Sequence, residues 1–257
     1  MKNNSFIFNE ESKIKYIAHR GMQSIAPQNS IPAFTYAGRA GAWAIETDVH
    51  KTKDGHLMCC HNDTIDSTFD GIGEISQMTK QELMFFKLNK GNCIECYSDN
   101  VLRMPTFEEY IDICIKYGAI PFIELKSNTA DEVISLLKKK DICKRSVISS
   151  LNWEHINATR EITKDVFIHH IFSEEKKIPK LADMGNSGMS FNYKNIDEAP
   201  RELIDKAHSA GVLACFRACD TPETYFKAKK LGVDYFPTNK IGDMCALDNY
   251  IKGAENE

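Results

Sequence analysis

Seven residues of this 257-residue chain carry side chains suited to one kind of chemistry: His19, Arg20, Glu46, Asp48, His61, Glu124 and Lys126. Glu46 and Asp48 stand two positions apart, as do Glu124 and Lys126, and the two-residue period of a strand puts each pair on one face. Three carboxylates brought together repel one another unless a cation compensates. Their all-oxygen donor set suits a hard divalent ion, Mg²⁺ or Ca²⁺, better than zinc, which favours sulfur and imidazole. Arg20 adds a guanidinium fork and Lys126 a point charge, a combination that suits a phosphate group. His19 and His61 titrate near neutrality, so one can take a proton while the other gives one, in either order. Together these groups imply metal-assisted attack on a phosphate ester.

The elements that must position them start with a hairpin. Asp54-Gly55 lies between the strand-like runs Ala44 to Lys53 and His56 to His61, and this dipeptide predicts a two-residue turn. Lys53 then faces His56 and Asp48 faces His61, with opposed Cβ atoms roughly 5 Å apart. A slip of one residue would move every side chain to the other face.

Beyond the hairpin, β-rich apolar runs alternate with amphipathic helical stretches. The expected strands are Lys15 to His19, Trp43 to Val49, Ile120 to Leu125, Ser146 to Ser149, Val166 to His170, Gly188 to Phe191, Val212 to Phe216 and Asp234 to Phe236. Helical patterns fall at Ile31 to Ala40, Thr106 to Tyr117, Ala130 to Lys139, Trp153 to Ile162, Glu174 to Met184, Ala199 to Ala210 and Pro222 to Leu231. Such alternation implies parallel strands with right-handed crossovers, and eight of them close a TIM (β/α)8 barrel. An open doubly wound sheet is the competitor, but no Gly-x-Gly-x-x-Gly follows the first strand. The interval from Asn62 to Met104 lacks clean periodicity and reads as a small insertion after strand two, at the carboxyl-end mouth. The expected organisation is a single barrel domain over residues 1–257, with that insertion at about 62–104. All seven candidate residues then lie at strand ends or in the hairpin beside the same mouth.

Taken singly, each signal is weak: a lone histidine at a strand end is usually a hydrogen-bonded structural residue, and a lone Glu-x-Lys is usually a solvated pair. Convergence at one face outweighs that, since independent surface pairs have no reason to share it. Of His169 and His170, alternation lets only one face the barrel, so the pair takes a structural or rim role. Cys93-Ile94-Glu95-Cys96 has the spacing of half a zinc site without the other half. Gly71-Ile72-Gly73 reads as a turn, and Trp43 and Phe216 as core residues, Phe216 near enough to its strand end to wall the pocket.

The 36 acidic and 32 basic residues nearly balance, so no overall charge draws the chain to nucleic acid or an anionic membrane. No apolar stretch approaches the ~20 residues of a membrane helix, and Met1 to Lys15 is polar. Nine scattered cysteines, an odd number, suggest reduced thiols. The expectation is a cytoplasmic protein that binds a small molecule, without stable membrane insertion.

Ala18-His19-Arg20-Gly21, Pro27-Gln28-Asn29-Ser30, Ala33-Phe34, Glu46-Thr47-Asp48-Val49, Asp54-Gly55, His61, Gly71 and Gly73 follow in an order that resembles the glycerophosphodiester phosphodiesterase family. Glu124-Leu125-Lys126, Gly232-Val233-Asp234 and Thr238-Asn239 extend the resemblance over nearly the whole chain. It implies a TIM barrel with a small insertion after strand two. It further implies Glu46, Asp48 and Glu124 as ligands of a divalent metal cation, His19 and His61 as the acid and base pair, and Arg20 and Lys126 as phosphate contacts. The implied reaction cleaves a glycerophosphodiester to glycerol 3-phosphate and an alcohol. The chain departs from the family pattern at Gln28 for Glu, Ser30 for Thr, Asn62 for Asp, Ser67 for Arg, and Phe216-Arg217-Ala218-Cys219 for a Trp-Thr-Val-Asn-like segment. Two other readings accompany the main one. The first is a lysophospholipase D-like activity on lipids, against which stands the lack of an amphipathic or strongly apolar segment. The second is a catalytically weak barrel that binds a phosphorylated metabolite.

Overall fold

The computed structural model describes Phe8, residues 15–193 and residues 195–254. The expectation for Met1 to Lys15 falls almost entirely outside them. Nine strands form one sheet among the described residues: β1 (Tyr16–Ala18), β2 (Ala44–Lys51), β3 (Leu57–Cys59), β4 (Ile120–Leu125), β5 (Val147–Ser150), β6 (Phe167–His170), β7 (Ser187–Ser190), β8 (Leu213–Cys215) and β9 (Phe236–Thr238). All but β3 pair in parallel in the order β8-β7-β6-β5-β4-β2-β1-β9. A parallel bridge between Cys215 and Tyr235 brings β8 to the start of β9 and closes the barrel. The last strand thus lies two residues later than the sequence pattern suggests, because Asp234 and Tyr235 serve in closure.

Helices α1 (Ile31–Arg39), α3 (Phe107–Tyr117), α4 (Ala130–Lys139), α5 (Trp153–Ile162), α6 (Ile178–Met184), α7 (Arg201–Ser209), α8 (Pro222–Leu231) and α9 (Ile241–Ala254) occupy the intervals around the barrel, and a short α2 (Lys80–Leu83) lies in the insertion. Their limits follow local chemistry. Thr106 caps α3, its hydroxyl accepting from the Glu109 amide while the Glu109 carboxylate accepts from the Thr106 amide, and Gly118 ends the helix at φ +67°. The helix expected at Glu174 to Met184 begins as a 3₁₀ turn, Glu175–Lys177, before regular α6 starts at Ile178 with Pro179 in its first turn. Sequence periodicity missed α9, which contains Gly242 and Gly253. No helix among the described residues is long and apolar enough to cross a membrane.

Two apolar layers result. Ile45, Val49, Ile123, Leu125, Ile148 and Ile168 point outward under the helices, whereas Ile17, Ala44, Phe122, Val147 and Phe167 fill the barrel. Phe8 packs on Trp43, Phe167 and Tyr235 and plugs the amino-terminal end. Phe216 belongs to the outer layer rather than the pocket wall. The mouth at the other end is left to polar side chains.

Tyr110 of α3 fixes the two strands that matter most. Its buried hydroxyl donates to the Ile45 carbonyl of β2 at 2.6 Å and accepts from the Phe122 amide of β4 at 2.9 Å. Between those strands Asp48 stands beside Glu124.

The hairpin differs from expectation by one residue. Val49 pairs with Cys59, His50 with Met58 and Lys51 with Leu57, so Asp48 stands opposite Cys60 rather than His61. The turn has three residues, Lys53-Asp54-Gly55, with Gly55 at φ +84°. Thr52 favours it: its hydroxyl donates to Asp54 Oδ1 and accepts from the His56 amide, and its own amide donates to the His56 carbonyl. The insertion is not structureless. Met58, Ile65, Phe69, Ile75, Leu83 and Met104 belong to its own core, and antiparallel bridges join Thr64 to Glu74 and Phe69 to Leu88. All nine cysteines are free thiols, with Cys93 and Cys96 exposed.

Tyr110→Phe would strand the buried Phe122 amide without its acceptor, so unfolding in urea should show a loss of ~1–3 kcal/mol. Tyr250→Phe, at an exposed position, should cost almost nothing in the same measurement.

Candidate active site

Alternation along β2 sends Glu46 and Asp48 into the barrel, and the parallel register with β4 sets Glu124 next to Asp48. Oxygens of the three carboxylates lie within 4.8 Å of one another. Burial, followed by the neighbouring Asp48 and Glu124, pushes the Glu46 carboxyl well above the ordinary range. Glu124 is raised by burial and by Asp48. Burial also works against an ionised Asp48, but Lys126, Arg20 and the Asn29 amide outweigh it and hold that carboxyl below its usual value. Lys126 Nζ lies 3.0 Å from Asp48 Oδ1 and 2.5 Å from Glu124 Oε1, while Arg20 Nε lies 3.5 Å from Asp48 Oδ2.

Glu46 Oε2 accepts from the Arg20 amide at 2.7 Å, but Glu46 Oε1 is buried without a hydrogen-bond partner. A buried carboxylate oxygen left unmatched beside two more carboxylates is what a hard cation relieves. The residues present fit a divalent ion held by Glu46, Asp48 and Glu124.

The loop after β1 is shaped around this cluster. Arg20 and Asn29 adopt left-handed backbone conformations at φ 56° and φ 49°, and Gly21 between β1 and α1 follows at φ +79°. A Cβ on Gly21 would come within 2.7 Å of the Ala33 backbone, so a side chain there would push the loop off α1. The turn aims Arg20 into the mouth, where Nη1 donates to Gln28 Oε1 at 2.6 Å. Asn29 Nδ2 donates to Asp48 Oδ2 at 2.8 Å, and its Oδ1 accepts from the Thr47 hydroxyl.

Both candidate histidines are oriented by asparagine. Asn239 Nδ2 donates to Asp220, so its Oδ1 faces His19 Nδ1 at 2.8 Å. Asn62 Nδ2 donates to the Ser67 hydroxyl, so its Oδ1 faces His61 Nδ1 at 2.6 Å. An amide oxygen only accepts, which puts the proton on Nδ1 of each ring and leaves each Nε2 free. Burial and then Arg20 lower His19 to about 4. Burial also lowers His61, with Asp48 acting in the opposite sense. Both rings are therefore neutral around pH 7.

A cavity of about 320 Å³ opens at this mouth, lined by His19, Arg20, Glu46, His61, Glu124 and Lys126 among others. Asp48, 1% exposed, lies behind them. The seven sequence-selected residues thus converge, although His61 gets there differently from the register argument: β3 ends at Cys59 and the chain leaves the ladder before His61. His169 faces the cavity and bonds the Tyr235 hydroxyl, whereas His170 points outward against Trp153. Asn239, Asp220, Gln23 and Arg217 were not singled out in sequence as site residues. They sit on loops, where no periodicity marks a facing side chain.

A model of the glycerophosphoryl diester phosphodiesterase family matches residues 19–243. The chain belongs to that family. The chain is 35% identical to a glycerophosphodiester phosphodiesterase of Caldanaerobacter subterraneus subsp. tengcongensis over 229 residues that cover 86% of this chain and 92% of the relative. Among solved structures, a glycerophosphodiester phosphodiesterase from Agrobacterium tumefaciens superposes with a TM-score of 0.77 at 20% identity, covering 91% of this chain and all of the other. A phosphodiesterase from Oleispira antarctica, solved with the product sn-glycerol-3-phosphate, gives 0.78 at 20% identity over 90% of this chain and 95% of the other. Family membership makes this chain a phosphoric diester hydrolase on a TIM barrel. Gln28 and the Asn62–Ser67 pair, which depart from the pattern of the resemblance, each make an uncharged hydrogen bond at the site.

If Glu46, Asp48 and Glu124 bind a divalent ion, adding Mg²⁺ or Ca²⁺ should raise the melting temperature, and chelator should reverse the rise. In Glu46→Gln the metal-free protein should melt no lower than wild type, because a repelling carboxylate is gone, and the metal-dependent rise should vanish. A rise that survives in this variant would remove Glu46 from the ligand set.

Proposed function

We propose that the protein hydrolyses glycerophosphodiesters to glycerol 3-phosphate and an alcohol, with a divalent cation bound to Glu46, Asp48 and Glu124. The observation that carries this reading is the meeting, at one barrel mouth of a family member, of that carboxylate cluster with two cations and two neutral imidazoles. The relative at 35% identity is named for this activity, and the Oleispira antarctica neighbour holds this product.

The bound cation, Mg²⁺ or Ca²⁺, supplies Lewis-acid stabilisation of charge on the phosphate oxygens. Arg20 and Lys126 already balance part of the carboxylate charge, and their remaining N–H groups face the cavity as donors to the phosphate. His19 and His61 present Nε2 to the same space. One neutral imidazole takes a proton at Nε2 from the attacking water, and the other, protonated at Nε2 from solvent beforehand, gives that proton to the leaving alkoxide. Release of the first proton to solvent restores the pair. Asn239 and Asn62 keep both rings in the tautomer this requires. Asn29 fixes Asp48, and Tyr110 holds the register that sets Asp48 beside Glu124.

The test is release of glycerol 3-phosphate from glycerophosphocholine, glycerophosphoethanolamine and glycerophosphoinositol, with divalent ion and with chelator. Activity should depend on the ion, and His61→Ala and His19→Ala should each lose on the order of 10²–10⁴-fold in kcat. Absence of release with every divalent ion tried would reject the proposal. Tight product binding with no turnover would favour a binding barrel instead.

A further inference from the structure

Around the barrel, β6, β7 and β8 stand across from β1, β2 and β4. The first group's half of the mouth contains none of the three clustered carboxylates, yet it contains a cation, Arg217, which follows β8. Of the three cations lining the cavity, Arg20 and Lys126 are paired with Asp48 or Glu124, whereas Arg217 enters no ion pair among the described residues. Its guanidinium lies instead over the Phe172 ring, 5.2 Å from the centroid.

That platform is fixed. Phe172 has a left-handed backbone at φ 51°, and its amide donates to the Ser190 hydroxyl at 3.1 Å, while the Ser173 amide donates to the Ser190 carbonyl. The segment carrying Arg217 is tied down as well, by the Cys219 amide on the Pro237 carbonyl and by Asp220 on Thr238 and Asn239. Arg217 is solvent-exposed, and its field reaches the reaction centre, since it is one of the charges that lower His19.

A glycerophosphodiester has one constant arm, the glycerol, and one variable arm, the alcohol. Ser149, His169 and Ser190 line the buried floor of the cavity and suit the small uncharged glycerol arm with its two free hydroxyls. The alcohol varies in size and needs the open rim, where Arg217, Phe172 and the 54%-exposed Leu151 stand.

On the basis of the phosphodiesterase reading above, we infer that Arg217 selects the leaving group by charge, favouring an alcohol that carries a phosphate or carboxylate over one that carries an ammonium. An exposed guanidinium supported on a ring attracts an anion at modest desolvation cost and repels choline or ethanolamine by the same field.

The experiment compares kcat/KM for three substrates at one pH and metal concentration: glycerophosphoinositol 4-phosphate, glycerophosphoinositol and glycerophosphocholine. Ratios between substrates cancel any effect of a mutation on the chemistry they share. The wild type should rank them in that order. Arg217→Gln should compress the ratio of the first to the last by about ten-fold, the scale of one charge pair in a partly solvated cleft, and Arg217→Glu should reverse it. The wild-type ratio should also shrink as salt rises. Turnover with ratios unchanged in both variants overturns this inference alone. Failure of the wild type to cleave any of the three overturns the phosphodiesterase reading and this inference together.

Discussion

Mutual repulsion among Glu46, Asp48 and Glu124 is the constraint around which the rest of the mouth is arranged. Three carboxylates held within 4.8 Å, two of them buried, cannot all stay ionised without nearby positive charge. Arg20 and Lys126 supply two such charges, and both lean on Asp48, which is why Asp48 stays acidic while Glu46 and Glu124 are pushed toward protonation. The remaining imbalance is what a divalent ion removes. The backbone serves the same end: the left-handed turn at Arg20 brings its amide to Glu46, and Asn29 reaches Asp48 from the loop's other end.

How much of this could be read from the chain depends on whether a feature is local. The barrel was legible because most of its buried parallel strands contain apolar runs, and helices such as α1, α3, α5 and α8 carry side-chain N-caps. The facing of Glu46 with Asp48 was legible because alternation needs only two residues of memory. The hairpin register was not, since Asp-Gly serves a two-residue turn and a three-residue one alike, and the Thr52 hydroxyl favours the longer. His61 nonetheless reaches the cavity, because β3 stops at Cys59 and pairing no longer dictates where the next side chains point. The supports on loops, Asn239 with Asp220 and Gln23, gave no periodic signal, and α9 with its two glycines gave little. The insertion appeared only as an absence of pattern, although its apolar residues form a core of their own.

That insertion is also joined to the other half of the site. Asn92 Nδ2 donates to the Gln23 carbonyl, Tyr97 donates to the Ile25 carbonyl, and Gly91 lies so close to Pro27 that a Cβ there would clash at 2.6 Å. His61 at the start of the insertion and the loop carrying Arg20 and Asn29 are thus parts of one packed wall. A displacement of either would move His61 and Arg20 together, so irregular chain here keeps two sides of the cavity in a fixed relation.

The amide oxygens behind the two imidazoles separate two properties that a carboxylate would combine. A carboxylate behind a histidine orients the ring and raises its basicity in one stroke, and it adds a further negative charge to a site that already has three. Asn62 and Asn239 orient without charging. The tautomer is then held in the same way across the whole working pH range, because an amide does not titrate there, and an incoming phosphodiester meets no extra anion on its way in. Behind His19 the Asp220 carboxylate bonds Asn239, a step removed from the ring. In this barrel, the geometry of the two imidazoles and the electrostatics of the carboxylates can be tuned by different residues.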